Sequence, residues 1–360
     1  MPGTVAGVTA QLTTAARAAT AMCAASLAVV YALRAVGDAA STGAWRWLTW
    51  LSPIGWAQQF RPYAENRWWV LLVVLAFTAA VAVAALSLAR RRDLGTGLVG
   101  DRPGPAAAGR GLSSPLSLAW RLQRGSLLDW SIGFVLMGAL VGGIASNVSA
   151  FLNNPSAKDF ITQLGGQQGL VDAFLAVEIS FAGTVAAAYG ISAALRLRAE
   201  ESAGRAAPVL VTPTSRTRWA GSHTVLALAG TAWLLALAGL GAGAVRAAQT
   251  HDASQFGRLL VAALAQLPAA AVLVAVVVLL FGVSARAAAG GWVVLVACIL
   301  LGELGPLLSL PQWVMDLSPF AHAPRLPGGT VDAVPLVALA GTALALVGAG
   351  LLAFRRRDVG

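Results

Sequence analysis

The sequence predicts an all-α, polytopic integral membrane protein with about eight transmembrane helices and both termini in the cytoplasm. Three observations carry that expectation. Of 360 residues, 58% are hydrophobic and only 11% are charged, with a mean hydropathy of +0.73. An average soluble domain carries about 25% charged residues, so a water-facing globule could not hide this much apolar surface. Apolar runs of roughly 20 residues, enough to cross ~30 Å of hydrocarbon, recur along the chain. Finally, the basic residues fall between these runs and favour alternate gaps.

The expected spans are 18–37, 68–89, 127–146, 172–195, 222–246, 259–283, 288–308 and 332–354. The first lacks the basic start of a signal peptide and carries Arg34 near its end, so it is read as a retained helix. The short gap 283–288 makes the sixth and seventh spans a hairpin. With residues 1–17 inside, the inner segments hold 17 basic residues and the outer segments 7. This asymmetry supports both ends in the cytoplasm and an even number of helices. It also accounts for the net charge of +10 without invoking nucleic acid. All basic residues except Lys158 are arginines. Cys23 and Cys298 lie in apolar segments, and the three histidines are scattered, so neither a disulfide framework nor a metal site is expected.

The outer loop 38–67 carries Trp45, Trp47, Trp50 and Trp56, followed by Trp68 and Trp69. Tryptophan favours the membrane interface, where its ring is apolar and its N–H stays wet. The cluster is either an aromatic belt or a re-entrant hairpin capping a pathway. The inner stretch 96–126 reads as a linker rich in Pro and Gly. It ends at 114–125 in a short amphipathic helix expected to lie in the interface.

The chain repeats itself. Trp47, Leu51, Ser52, Pro53 and Ala57 recur as Trp313, Leu317, Ser318, Pro319 and Ala323. RRRDLG at 90–95 recurs as RRRDVG at 355–360. Positive-inside charge explains arginines at helix ends, but not these motifs at nearly constant separation. Duplicated halves are a common way to build a membrane pathway. On this reading 1–95 supplies the last two helices of a first half, 96–126 is the linker, and 127–360 is a complete six-helix second half.

The segment RLRAEESAGRAAPVLVTPTSRTRWAGSH at 196–223 packs charge tightly and is punctuated by Pro208 and Pro213. It is either a solvated basic loop or a docking surface for a soluble partner. It resembles the coupling region of ABC-2 type permeases, where a pattern close to EE-x-x-G-R-x-E-x-L-L-A-x-P-x-S-R-x-x-W follows the second helix of a half. Glu200, Glu201, Gly204, Arg205, Leu210, Pro213, Ser215, Arg216, Trp219 and His223 fit; Ala207 stands where an acid is usual. LSPIGW, RPYAENRWW, RRRDLG and LSPFAHAPRLPGG resemble the actinobacterial branch of polyketide-antibiotic exporters.

The resemblance implies a membrane-spanning subunit of an ATP-driven exporter of lipophilic compounds. Separate ABC ATPase subunits would carry ATP and magnesium and dock on Glu200, Glu201, Gly204, Arg205, Pro213 and Arg216. Members usually have twelve helices, so a separate N-terminal permease fragment or a second copy of the chain would complete the transporter. The alternative is a truncated, non-transporting partner in assembly, immunity or regulation. The chain has no GxxxxGK[ST] loop of its own, since Lys158 follows Ala157, and neither HExxH nor GxSxG occurs. It is therefore expected to be no enzyme and to hold no cofactor. Glu178 and Glu303 lie inside apolar spans, where a carboxylate is costly. Each either lines a pathway or makes a structural hydrogen bond.

Overall fold

The computed structural model describes residues 46–59, 67–90, 109–112, 114–151 and 166–357, with scattered positions between 7 and 33. Among them seven stretches are long and apolar enough to cross a membrane: Trp69–Arg90, Pro115–Ala145, Gly169–Ser202, Arg216–Thr250, Ser254–Val283, Ala287–Leu304 and Ala333–Arg356. These correspond to seven of the expected spans, and no strand occurs among the described residues. The span expected at 18–37 falls mostly outside the described residues, although positions within it such as Cys23 and Tyr31 are helical. The first RRRD motif beyond Arg90 also lies outside them.

The chain divides into two units, Met1–Ala107 and Ala108–Gly360. The boundary falls inside the expected linker. In the first unit, Arg46–Leu51 is a turn of 3-10 helix, followed by α1 (Pro53–Gln59) and α2 (Trp69–Arg90). Trp50 stacks on Trp69 at 5.3 Å, and Trp56 meets Phe77 edge-on. α2 is apolar on every side and buries only Val70, the pattern of a helix whose solvent is lipid.

The second unit holds α3 (Pro115–Phe151), α4 (Gly166–Ala194), α5 (Arg196–Ser202) and α6 (Ala206–Leu210). These are followed by α7 (Arg216–Thr250), α8 (Ser254–Leu264), α9 (Leu267–Val283) and α10 (Gly290–Leu304). The last elements are α11 (Gln312–Met315), a 3-10 turn at Pro319–His322, and α12 (Ala333–Arg356). Caps fix several starts. Ser215 accepts from the Arg218 N–H, and Asp332 accepts from the Val334 N–H. Between α7 and α8, the Asp252 carboxylate accepts from Ser254 and Gln255, which holds it below its ordinary pKa.

Two elements differ from expectation. The separate interfacial helix over 114–125 is instead the first turns of α3. Pro115 occupies the helix start, where its missing N–H costs nothing, and no further proline interrupts the run. The polar face of these turns does not meet headgroups alone, because Gln123 is buried against His223. The sixth span is also broken, at Ala265–Gln266 between α8 and α9. Pro268 has no N–H to give the turn before it, so the ladder stops there.

Small residues set the helix spacing. A Cβ added to Gly142 would meet the Ala242 carbonyl at 2.6 Å, and one at Gly239 would meet the Leu259 carbonyl at 2.7 Å. Backbones therefore touch along α3–α7 and α7–α8, as lipid-embedded helices require when dispersion must hold them together. α4, α7 and α9 supply most of the main core, including Ile191, Leu234, Leu235 and Val274. Leu128, Ile132 and Leu136 of α3, and Val334, Val337 and Leu344 of α12, remain exposed as a lipid-facing surface.

Candidate functional site

The 196–216 segment is built from the end of α5 upward. Gly204 has φ +68°, a left-handed conformation that favours glycine. Its N–H donates to the Glu201 carbonyl at 2.9 Å, and the Arg205 N–H donates to the Glu200 carbonyl at 3.0 Å. This paired return is a Schellman cap. The hydrophobic contact that usually clips such a cap is here an ion pair. Arg205 Nε and Nη2 reach the two Glu200 oxygens at 2.8 and 3.1 Å. The EE-x-x-G-R pattern is thus a helix stop with a charged clip. The Glu200 carboxylate raises the Arg205 pKa above its ordinary value. Replacing Gly204 with alanine forces an L residue into the left-handed region, at about 1–2 kcal/mol. No atom crowds that position, so strain alone should lower the thermal midpoint of the purified protein.

The predicted residues do not share one face. Glu200 is buried, and its side chain also lies 3.9 Å from Arg196. Arg196 in turn donates to the Leu122 carbonyl of α3 at 2.8 Å. Glu201 is bound by Arg357 from α12's end through Nη2, at 2.6 Å to Oε1. Arg216 donates Nη1 to the Arg357 carbonyl. Both acids therefore anchor the segment within the chain. The solvent sees Ser202–Arg205, Ala207–Pro208 and Val211–Pro213 instead. Val211 is 88% exposed.

The sequence did not single out Arg357 for contact, because its arginine-rich run reads as topological charge. It also missed the aromatic floor: Trp219, Phe281 and Phe354 pack with ring centres 5.1–6.5 Å apart. Gln123 was missed too; its Nε2 donates to His223 Nδ1 at 3.2 Å, joining α3 to α7. Long-range pairs of this kind leave no local signal.

Glu178 is half-buried on α4, about 18 Å from Gly166 along the helix axis at ~1.5 Å per residue, because α4 starts earlier than expected. Glu303 is exposed at the penultimate position of α10. Among the described residues neither side chain forms an ion pair or accepts a hydrogen bond.

The two copies of the repeated motif share a burial pattern, although 3-10 precedes α in the first and α precedes 3-10 in the second. Trp47 and Trp313 are exposed, as are Leu51 and Leu317. Ser52 and Ser318 are buried, and Pro53 and Pro319 each open a helical turn. Trp56 Nε1 donates to the Trp50 carbonyl at 2.7 Å. At the equivalent place His322 Nε2 bonds the Asp316 carbonyl at 2.9 Å. A carbonyl only accepts, so His322 carries its proton on Nε2 there. The Ser52 hydroxyl has no partner among the described residues.

Seven helices long and apolar enough to cross a membrane, with one internally anchored charged segment between two of them, are the build of a multi-pass membrane protein. Residues 112–355 match the family described as "Multidrug efflux system permease Rv1217c, C-terminal domain". The chain belongs to this family of multidrug efflux system permeases. It is 44% identical over 357 residues to "Multidrug efflux system permease protein Rv1217c" of Mycobacterium tuberculosis (strain ATCC 25618 / H37Rv). That alignment covers 99% of this chain, which spans 64% of the length of that curated relative.

Proposed function

We propose that the chain is the membrane-spanning permease subunit of an ATP-driven, ABC-2 type exporter of lipophilic compounds such as antibiotics, in a bacterial plasma membrane. The observation that carries this reading is the 202–213 surface. It is exposed between two anchored helix ends and carries an exposed apolar residue, Val211. Buried anchors beside an exposed surface make a lever that a soluble partner can push without unfolding it. The arginine count places it on the cytoplasmic side, where a separate ABC ATPase would bind ATP and magnesium. Ala-, Val- and Leu-rich spans suit a lipophilic cargo better than an ion.

Val211→Asp, in the chain co-expressed with an ABC ATPase that the wild-type chain captures, tests the reading. The side chain is solvated, so folding should be unaffected. A contact of interface hot-spot strength is worth about 2 kcal/mol, roughly 30-fold in affinity. Co-purified ATPase should fall accordingly. Unchanged capture of the ATPase would remove Val211 from the interface.

A further inference from the structure

We infer that Arg357 is a positioning residue for transport: it carries displacement of the 196–216 segment into α9 and α12. This rests on the docking role proposed above. Four helix ends converge on this residue. Its Nη2 holds both oxygens of Glu201, at the end of α5. Its Nη1 donates to the Phe281 carbonyl near the end of α9 at 2.7 Å. The guanidinium carbon lies 4.9 Å from the centre of the Phe281 ring and 5.2 Å from that of Phe354 on α12. Its own carbonyl accepts from Arg216, the first residue of α7.

The physics of the guanidinium makes this junction stiff. The group is planar, permanently charged and rigid, and it stacks on aromatic faces. The side chains of Arg357 and Glu201 are only 16% and 11% exposed, so little water competes for either. A shift of α5 by an ångström or two must either break two charge-assisted bonds or take Arg357 with it. Arg357 directly follows α12, and α12 touches α9 backbone to backbone at Gly350 and Gly282. Motion delivered to Glu201 therefore has a continuous route into two membrane helices. Lysine keeps the charge but loses the planar fork, so it holds Glu201 or the Phe281 carbonyl, not both rigidly.

The test uses the full chain assembled with its ATPase in nanodiscs. Hydrogen exchange is compared without nucleotide and after trapping with ATP and vanadate. In the wild type, trapping should alter exchange both in 196–216 and in the last turns of α9 and α12. In Arg357→Lys the change in 196–216 should persist while the change in α9 and α12 is lost. Glu201→Gln, which keeps the shape and removes the charge, should give the same split and serves if the lysine variant is recovered poorly. A purely structural staple would shift the thermal midpoint and leave the response of α12 to trapping intact; that result overturns the inference. Loss of ATPase binding in both variants would also overturn it, because Arg357 would then build the docking surface. No change at 196–216 in the wild type would instead refute the docking role, and the inference would fall with it.

Discussion

Gly282→Ala is expected to lower the thermal midpoint of the purified protein, and Gly282→Leu to abolish its recovery. A Cβ at this position would come within 2.9 Å of the Gly350 carbonyl carbon, and within 3.0 Å of its Cα. The clash is reciprocal, since a Cβ on Gly350 would meet the Val278 carbonyl at 2.7 Å. Both obstacles are backbone, so no rotamer change relieves them. Overpacking against side chains typically costs about 1–3 kcal/mol, and backbone against backbone belongs at the upper end of that range or beyond. Gly348 on the same helix provides the control. A Cβ there meets nothing within 4 Å, so Gly348→Ala should gain up to ~1 kcal/mol of helix propensity. Opposite signs for two identical chemical changes, read by thermal unfolding in one detergent, would establish the α9–α12 seam. Equal signs would refute it.

Glu201→Ala should produce the second large effect, a loss of about 3 kcal/mol. The substitution strands Arg357, whose side chain is 16% exposed. Removing one member of a buried ion pair costs about 3–5 kcal/mol, because the remaining charge stays desolvated. The lower end applies here, since Arg357 keeps the Phe281 carbonyl and two aromatic faces. Glu200→Ala should cost less, because its hydrogen-bonded partner Arg205 is 54% exposed to water, and Arg196, 3.9 Å away, keeps the Leu122 carbonyl. Thermal unfolding of the two variants side by side decides the order. A larger loss at Glu200 would mean that the charged clip, rather than the tie to α12, stabilises the segment.

The membrane helices were legible in the sequence because hydropathy reports a local property, the solvent each stretch needs. The break at Ala265–Gln266 was less legible. Pro268 was visible, yet the flanking residues are apolar enough to read as one span. The EE-x-x-G-R pattern is legible through its resemblance to a permease motif, but a motif does not say which way its side chains point. The fold pairs Glu200 with Arg205 and Glu201 with Arg357. Glu201's partner lies 156 positions away, and nothing local specifies it. Gly204 needed no such information, because a left-handed cap is a property of its own backbone. The same division separates Glu178 from Glu303. Sequence placed both in apolar spans, and only tertiary packing made one half-buried and the other exposed.

The two LSP turns differ at the residue that closes them, tryptophan in one and histidine in the other. Indole and imidazole share little in volume or polarity. They do share a ring N–H able to reach back to a carbonyl six positions earlier. What the two turns share is therefore the placement of one proton donor, not side-chain bulk. The likeness between the two turns lies in bonding topology rather than in the identity of the residues that implement it.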